Sequence, residues 1–301
     1  MRLRSSCHLL PTSYTFINVS ANKYLQAMKL LRGDWFRVLL ILVGGTVVNN
    51  WGLSWIPFHK LQLSQFWWTI IARSCSALLS LALIRLFCPS ALKRFGWGGK
   101  PKNLLISLVI VAYLMGSALW QNKYHGVSAA QIVESFIFAL FIGIDEDFFS
   151  RGFIFGGLER YGVWLAAVIS SVHFGLLHLP NIIYGGQSAA YTLAQAVSAG
   201  AFGFLAVALM VYSGTIWVPI LMHGLCDFPM QFDTASEYKA MVTGGADWTG
   251  VLVDLFLYSS IGVILILLSN PKGRESLMVL GSRLGLVDPN SIATESNVPT
   301  L

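Results

Sequence analysis

Apolar stretches long enough to cross a lipid bilayer recur along this chain, separated by short polar connections. A membrane-spanning helix needs about 20 mostly apolar residues. By that measure the pattern predicts helices over 36–56, 65–87, 103–121, 129–158, 163–180, 190–212, 214–228 and 249–269. The fourth is long. The seventh is short and contains Pro219, which lacks a backbone N–H and predicts a kink. The expected fold is all-α, a polytopic membrane bundle of about eight transmembrane helices. The chain divides into an N-terminal segment at 1–35, three spans within 36–121, a core at 125–230, a last span at 249–269 and a tail at 270–301. The tail starts as a short amphipathic helix after Asn270 and reads as disordered from about Asp288. The first 27 residues lack the continuous apolar run of a signal peptide. Met28 opens "MKLLRGDWFRVLLILVGG", the usual basic start before a first span, and marks an alternative start of the chain.

Composition agrees: 55% of residues are hydrophobic, 11% are charged, and the mean hydropathy is +0.65. A soluble domain carries about 25% charged residues. The net charge of +6 does not call for a nucleic-acid partner, because the basic residues follow a topology pattern. Fifteen of the 20 Lys and Arg fall in the N-terminal segment, the 85–102 connection, Arg160 and the 272–283 tail, all on one side of the predicted bundle. Lys60, Lys123 and Lys239 fall on the other side, and Arg73 and Arg151 lie within spans. Cytoplasmic loops carry the excess of Lys and Arg, so both termini are expected in the cytoplasm. The short loops point to a bacterial plasma membrane. The four cysteines, Cys7, Cys75, Cys88 and Cys226, form no CxxC pair or metal-ligand spacing. Trp51, Trp55, Trp67 and Trp68 sit near span ends, as interfacial anchors do.

Against this background, "FIGIDEDFFSRG" at 141–152 stands out. An ionisable side chain at the bilayer centre costs roughly 2.5–3.5 kcal/mol on insertion scales, so such residues face a protein interior or a water-filled cavity. Here Glu134, Asp145, Glu146, Asp147 and Arg151 share the fourth span, His173 and His178 the fifth, and His223 and Asp227 the seventh. The fourth and fifth spans meet in the tight turn "ERYG". Glu146 and His178 therefore lie roughly 18 and 22 Å from that turn, at similar depth. His223 enters the same layer from the seventh span, with Asp227 on its face at i+4. Asp147 and Arg151 are also spaced i,i+4 and are expected to form a salt bridge, while Glu146 points elsewhere by about 100°. His173 reads as structural, and Glu134, Asp254 and Arg73 read as isolated residues with packing, boundary or assembly roles.

Three motifs line up in order. "EDFFSR" (146–151) resembles EExxxR, "FGLLH" (174–178) resembles FxxxH, and "HGLCD" (223–227) resembles the HxxxD variant of HxxxN. The chain thus resembles, over about residues 125–230, the CAAX prenyl endopeptidase family of intramembrane proteases, also called CPBP or ABI, which includes the lysostaphin-resistance-like proteins. The resemblance implies an endopeptidase that hydrolyses a lipidated or membrane-embedded peptide. In that reading Glu146 and His178 activate a water, His223 and Asp227 stabilise the oxyanion, and Asp147 and Arg151 support the base. The implied partners are membrane lipid and a peptide or lipidated protein substrate. Oligomeric state is left open.

The chain departs from the family pattern at two positions. Asp147 stands where the motif has a longer Glu, and Asp227 stands where Asn is common. An ionised Asp227 would repel an oxyanion, so it must be protonated to donate or do another job. No cofactor is required by the glutamate mechanism. Zinc is the alternative, because Glu146, His178, His223 and Asp227 make a sensible set of N and O ligands. The departures also motivate a non-enzymatic alternative, a membrane-protein binding partner or a bacteriocin-immunity protein. A proton-coupled transporter ranks last, since no inverted repeats or paired broken helices are present.

Overall fold

In the computed structural model, residues 35–47, 64–96, 98–119, 124–233, 235–283 and 286 are described. The rest of the first predicted span, the Met28 start and the tail from Asp288 lie outside these residues. Among the described residues every regular element is helical. They form α1 (35–47), α2 (Gln65–Phe87), α3 (Pro89–Phe95), α4 (Pro101–Leu119), α5 (129–158), α6 (Val163–Leu176), α7 (Ala189–Ser213), α8 (Trp217–Asp227), α9 (Ala235–Thr243), α10 (Trp248–Leu268) and α11 (Pro271–Arg283). Four stretches, Phe66–Phe87, Val163–Tyr184, Ala189–Ser213 and Trp248–Leu268, are long and apolar enough to cross a membrane, and the shorter apolar helices Arg37–Val47 and Pro101–Gly116 accompany them. The protein is an integral membrane protein built as a helical bundle. Helix α5 is longer than any of the four but carries the acids and Arg151 in its interior.

Local chemistry sets the boundaries. Ser128 and Gln131 form a reciprocal capping box that starts α5. Helix α6 ends at Leu176 rather than running to 180, because Pro180 disfavours helix before it, so His178 sits in the turn just beyond. Gly214, in the left-handed region at φ 78°, ends α7. Thr215 then donates its hydroxyl to Gly96 O. Helix α8 consequently starts at Trp217, later than the predicted 214. Pro219 therefore falls in the first turn, where backbone N–H groups have no intrahelical partner, and the expected kink has no cause. Helix α7 is the centre of the bundle: nearly every residue from Ala201 to Ser213 is buried. It packs on α6 and α10 while α8 packs on α5.

The two ends of the bundle differ in charge. One gathers the end of α2, α3, the 98–102 connection, the 159–161 turn and the α7–α8 junction. Arg37 donates to Phe87 O, Arg94 pairs with Glu159, Ile216 N donates to Phe95 O, and Lys100 N donates to Ser213 O. This end carries Arg37, Arg85, Lys93, Arg94, Lys100 and Arg160. Burial pushes the Glu159 carboxyl above its ordinary range, against the pull of Arg94. At the other end Ser188 bonds Met241 O and Gly244 O, and Tyr124 stacks on Phe228 at 5.7 Å. Among the described residues this second end carries one Lys or Arg, Lys239, with Asp233, Glu237 and Asp247.

Candidate active site

The site begins where α5 crosses α8. A Cβ on Gly143 would lie 2.8 Å from Ile220 O and 3.2 Å from Gly224 N, and one on Gly224 would lie 3.1 Å from Leu140 Cα. Only glycine lets the two helices approach this closely. The crossing sets Glu146 and Asp147, one turn beyond Gly143, against His223, the residue before Gly224.

His223 is buried and meets three carboxylates. Its Nδ1 lies 3.4 Å from Asp147 Oδ1, and its Nε2 lies 3.7 Å from Glu146 Oε2 and 3.6 Å from Asp227 Oδ2. The last pair is the predicted i,i+4 contact. The predicted Asp147–Arg151 pair is also present, at 2.8 Å, with both side chains fully enclosed. The shorter acid at 147 therefore still spans Arg151 and the imidazole. It faces His223 through Oδ1 as well as pairing with Arg151.

Phe174 organises the far side. The Arg151 guanidinium lies 4.1 Å over its ring, and its edge contacts are with His178 at 5.2 Å and His223 at 5.7 Å. His178 Nδ1 lies 3.1 Å from Phe174 O. A carbonyl only accepts, so Nδ1 carries the proton and Nε2 is left as an acceptor. His178, His223 and Asp227 line one cavity of about 380 Å³, together with Phe174, Phe202 and Asp254. Glu146 joins this group through His223 Nε2. No group of three or more His, Cys, Asp or Glu side chains among the described residues is disposed to hold a metal ion.

Two residues read as isolated are not. Arg73, from α2, reaches across to α5 and places Nη1 2.9 Å from Asp145 Oδ2 and 3.2 Å from Glu146 Oε1. It thereby fixes one oxygen of Glu146 and leaves the other toward His223, and it gives Asp145 a partner. Asp254 accepts from Ser198 Oγ and lines the cavity. His173 is structural as expected, with Nε2 2.8 Å from Thr46 Oγ1. Glu134 is exposed on the first half of α5.

One local feature had no sequence signal. The segment Phe148–Phe155 is a π-helix, and every residue from Phe149 to Phe155 is buried. Such segments are rare and recur at functional sites. Here the wider turn follows directly on Glu146 and Asp147 and carries Arg151 beneath Phe174.

Residues 128–229 match the family of type II CAAX prenyl endopeptidase Rce1-like proteins. This region, about a third of the chain, is similar to that family and contains Glu146, Asp147, Arg151, His178, His223 and Asp227. No curated protein and no solved structure matches the chain.

Proposed function

We propose that the protein is an intramembrane endopeptidase that hydrolyses a peptide bond of a lipidated or membrane-embedded substrate. The observation that carries this reading is one buried imidazole, His223, ringed by Glu146, Asp147 and Asp227 beside a cavity that it lines with His178 and Asp227. Distances of 3.6–3.7 Å from Nε2 to the two outer carboxylates are too long for direct hydrogen bonds, so the three groups face one another without being bonded together. In the proposed reaction Glu146 Oε2, held by the Arg73 bond to its other oxygen, takes a proton from water. The resulting hydroxide adds to the peptide carbonyl. His178, with Nε2 free to accept, helps orient that water. Asp147 faces His223 Nδ1, and the imidazolium form, with a proton on each ring nitrogen, directs Nε2–H at the developing oxyanion. Collapse breaks the C–N bond, and the proton held by Glu146 passes to the leaving amine. No step is routed through a metal.

The test is cleavage by the purified protein in lipid nanodiscs, read by mass spectrometry on prenylated peptides and unmodified controls. Wild type is expected to cut, and Glu146→Gln and His223→Ala are not. Equal cleavage by Glu146→Gln, or none by wild type across such a panel, refutes the proposal.

A further inference from the structure

The candidate site has a direction. The cavity that holds His178, His223 and Asp227 runs from buried Phe174 and Phe202 to Tyr191, Met230, Asp247 and Gly250. Met230 and Asp247 are exposed, and both belong to the second, acidic end of the bundle. The basic end has its own hollow, of about 530 Å³, lined by Ile84, Arg85, Phe95, Ile144, Arg151 and Trp217 among others. That hollow is apolar and contains none of Glu146, His178, His223 or Asp227. Approached from the basic end, the imidazole lies behind the enclosed Asp147–Arg151 pair and the Phe174 ring.

We infer that the site receives its substrate from the face of the membrane opposite the basic end. Lys and Arg mark cytoplasmic connections, and the described cations of the connections gather at the far end from the cavity mouth. The mouth therefore opens on the non-cytoplasmic side. The fitting substrate is a peptide exposed there or anchored in that leaflet, not one presented by the cytosol. The inference rests on the endopeptidase reading for the word substrate; the orientation of the cavity does not.

A native thiol reports on this without any proteolysis. Cys226 lines the cavity, three residues beyond His223. The full chain is expressed in bacterial cells and treated with a small membrane-impermeant methanethiosulfonate, in right-side-out and in inverted membrane vesicles. Mass spectrometry of the Cys226 peptide gives the extent of modification, and Lys93→Cys marks the basic end. Modification of Cys226 in right-side-out vesicles, with loss of it in inverted ones and the reverse pattern for Lys93→Cys, is the expected result. Cys226 modified from the basic side only, or from neither side, overturns the inference. So does labelling of Lys93→Cys in right-side-out vesicles. A chain that labels as expected and cuts no peptide refutes the proposed activity alone.

Discussion

Arg151 and Arg73 each pair with acids of the 145–147 run, under opposite conditions. Arg151 is 1% exposed and Asp147 0%, and the guanidinium is further capped by the Phe174 ring. Arg73 is 34% exposed and shared between Asp145 and Glu146, itself 29% exposed. Removing one member of an enclosed pair leaves an uncompensated buried charge, whereas a partly exposed pair leaves its members room to rearrange. The difference separates two jobs on adjacent residues. Asp147 anchors the fold and the imidazole. Glu146 keeps an accessible carboxylate.

The comparison breaks most readily at Arg151. Arg151→Met should destabilise the protein by about 3–5 kcal/mol, read as thermal unfolding in detergent. The double variant Asp147→Leu with Arg151→Met should recover much of that loss. A single variant that melts like wild type would show that the pair anchors nothing. Glu146→Gln should leave melting nearly unchanged and lower peptide hydrolysis by roughly 10²–10⁴, the range of a lost general base. Arg73→Gln should lower turnover by less than about tenfold, equivalent to about 1.4 kcal/mol. Arg73→Lys should keep most of it; equal loss in Arg73→Gln and Glu146→Gln would erase the distinction. The smallest effect is expected at Asp227→Asn. An acid donates to an oxyanion only when protonated, and an amide does so at every pH. Wild-type activity should therefore decline on the alkaline side of the Asp227 titration, and the variant should lack that decline. Identical pH–rate profiles would remove Asp227 from the oxyanion site.

Much of this was legible in the chain because membrane helices announce themselves. The runs 65–87 and 129–158 coincide with α2 and α5. The i,i+4 pairs Asp147–Arg151 and His223–Asp227 follow from helical spacing alone. What failed was the reading of Arg73 and Asp254 as standing by themselves. Arg73 is 72 residues from Asp145, and Ser198 is 56 from Asp254. Helical period says which face a side chain is on, but not which helix that face meets. The close crossing at Gly143 and Gly224 decides that for α5 and α8, and two glycines among 28 carry no visible signal. The expected kink at Pro219 failed for a smaller reason: Gly214 shifts the helix start by three residues, from 214 to 217.

The Arg151–Phe174 contact has an electrical consequence. Arg151 borders the apolar hollow at one end of the bundle, and Phe174 borders the cavity of the candidate site at the other. Wherever water enters that cavity, the membrane voltage falls over a shorter path, and this partition stands in that path. A lone charge crossing the full voltage feels about 2.3 kcal/mol per 100 mV. A guanidinium locked to a carboxylate presents no net charge to that force. The pairing of Asp147 with Arg151 therefore also keeps the partition steady in an energised membrane.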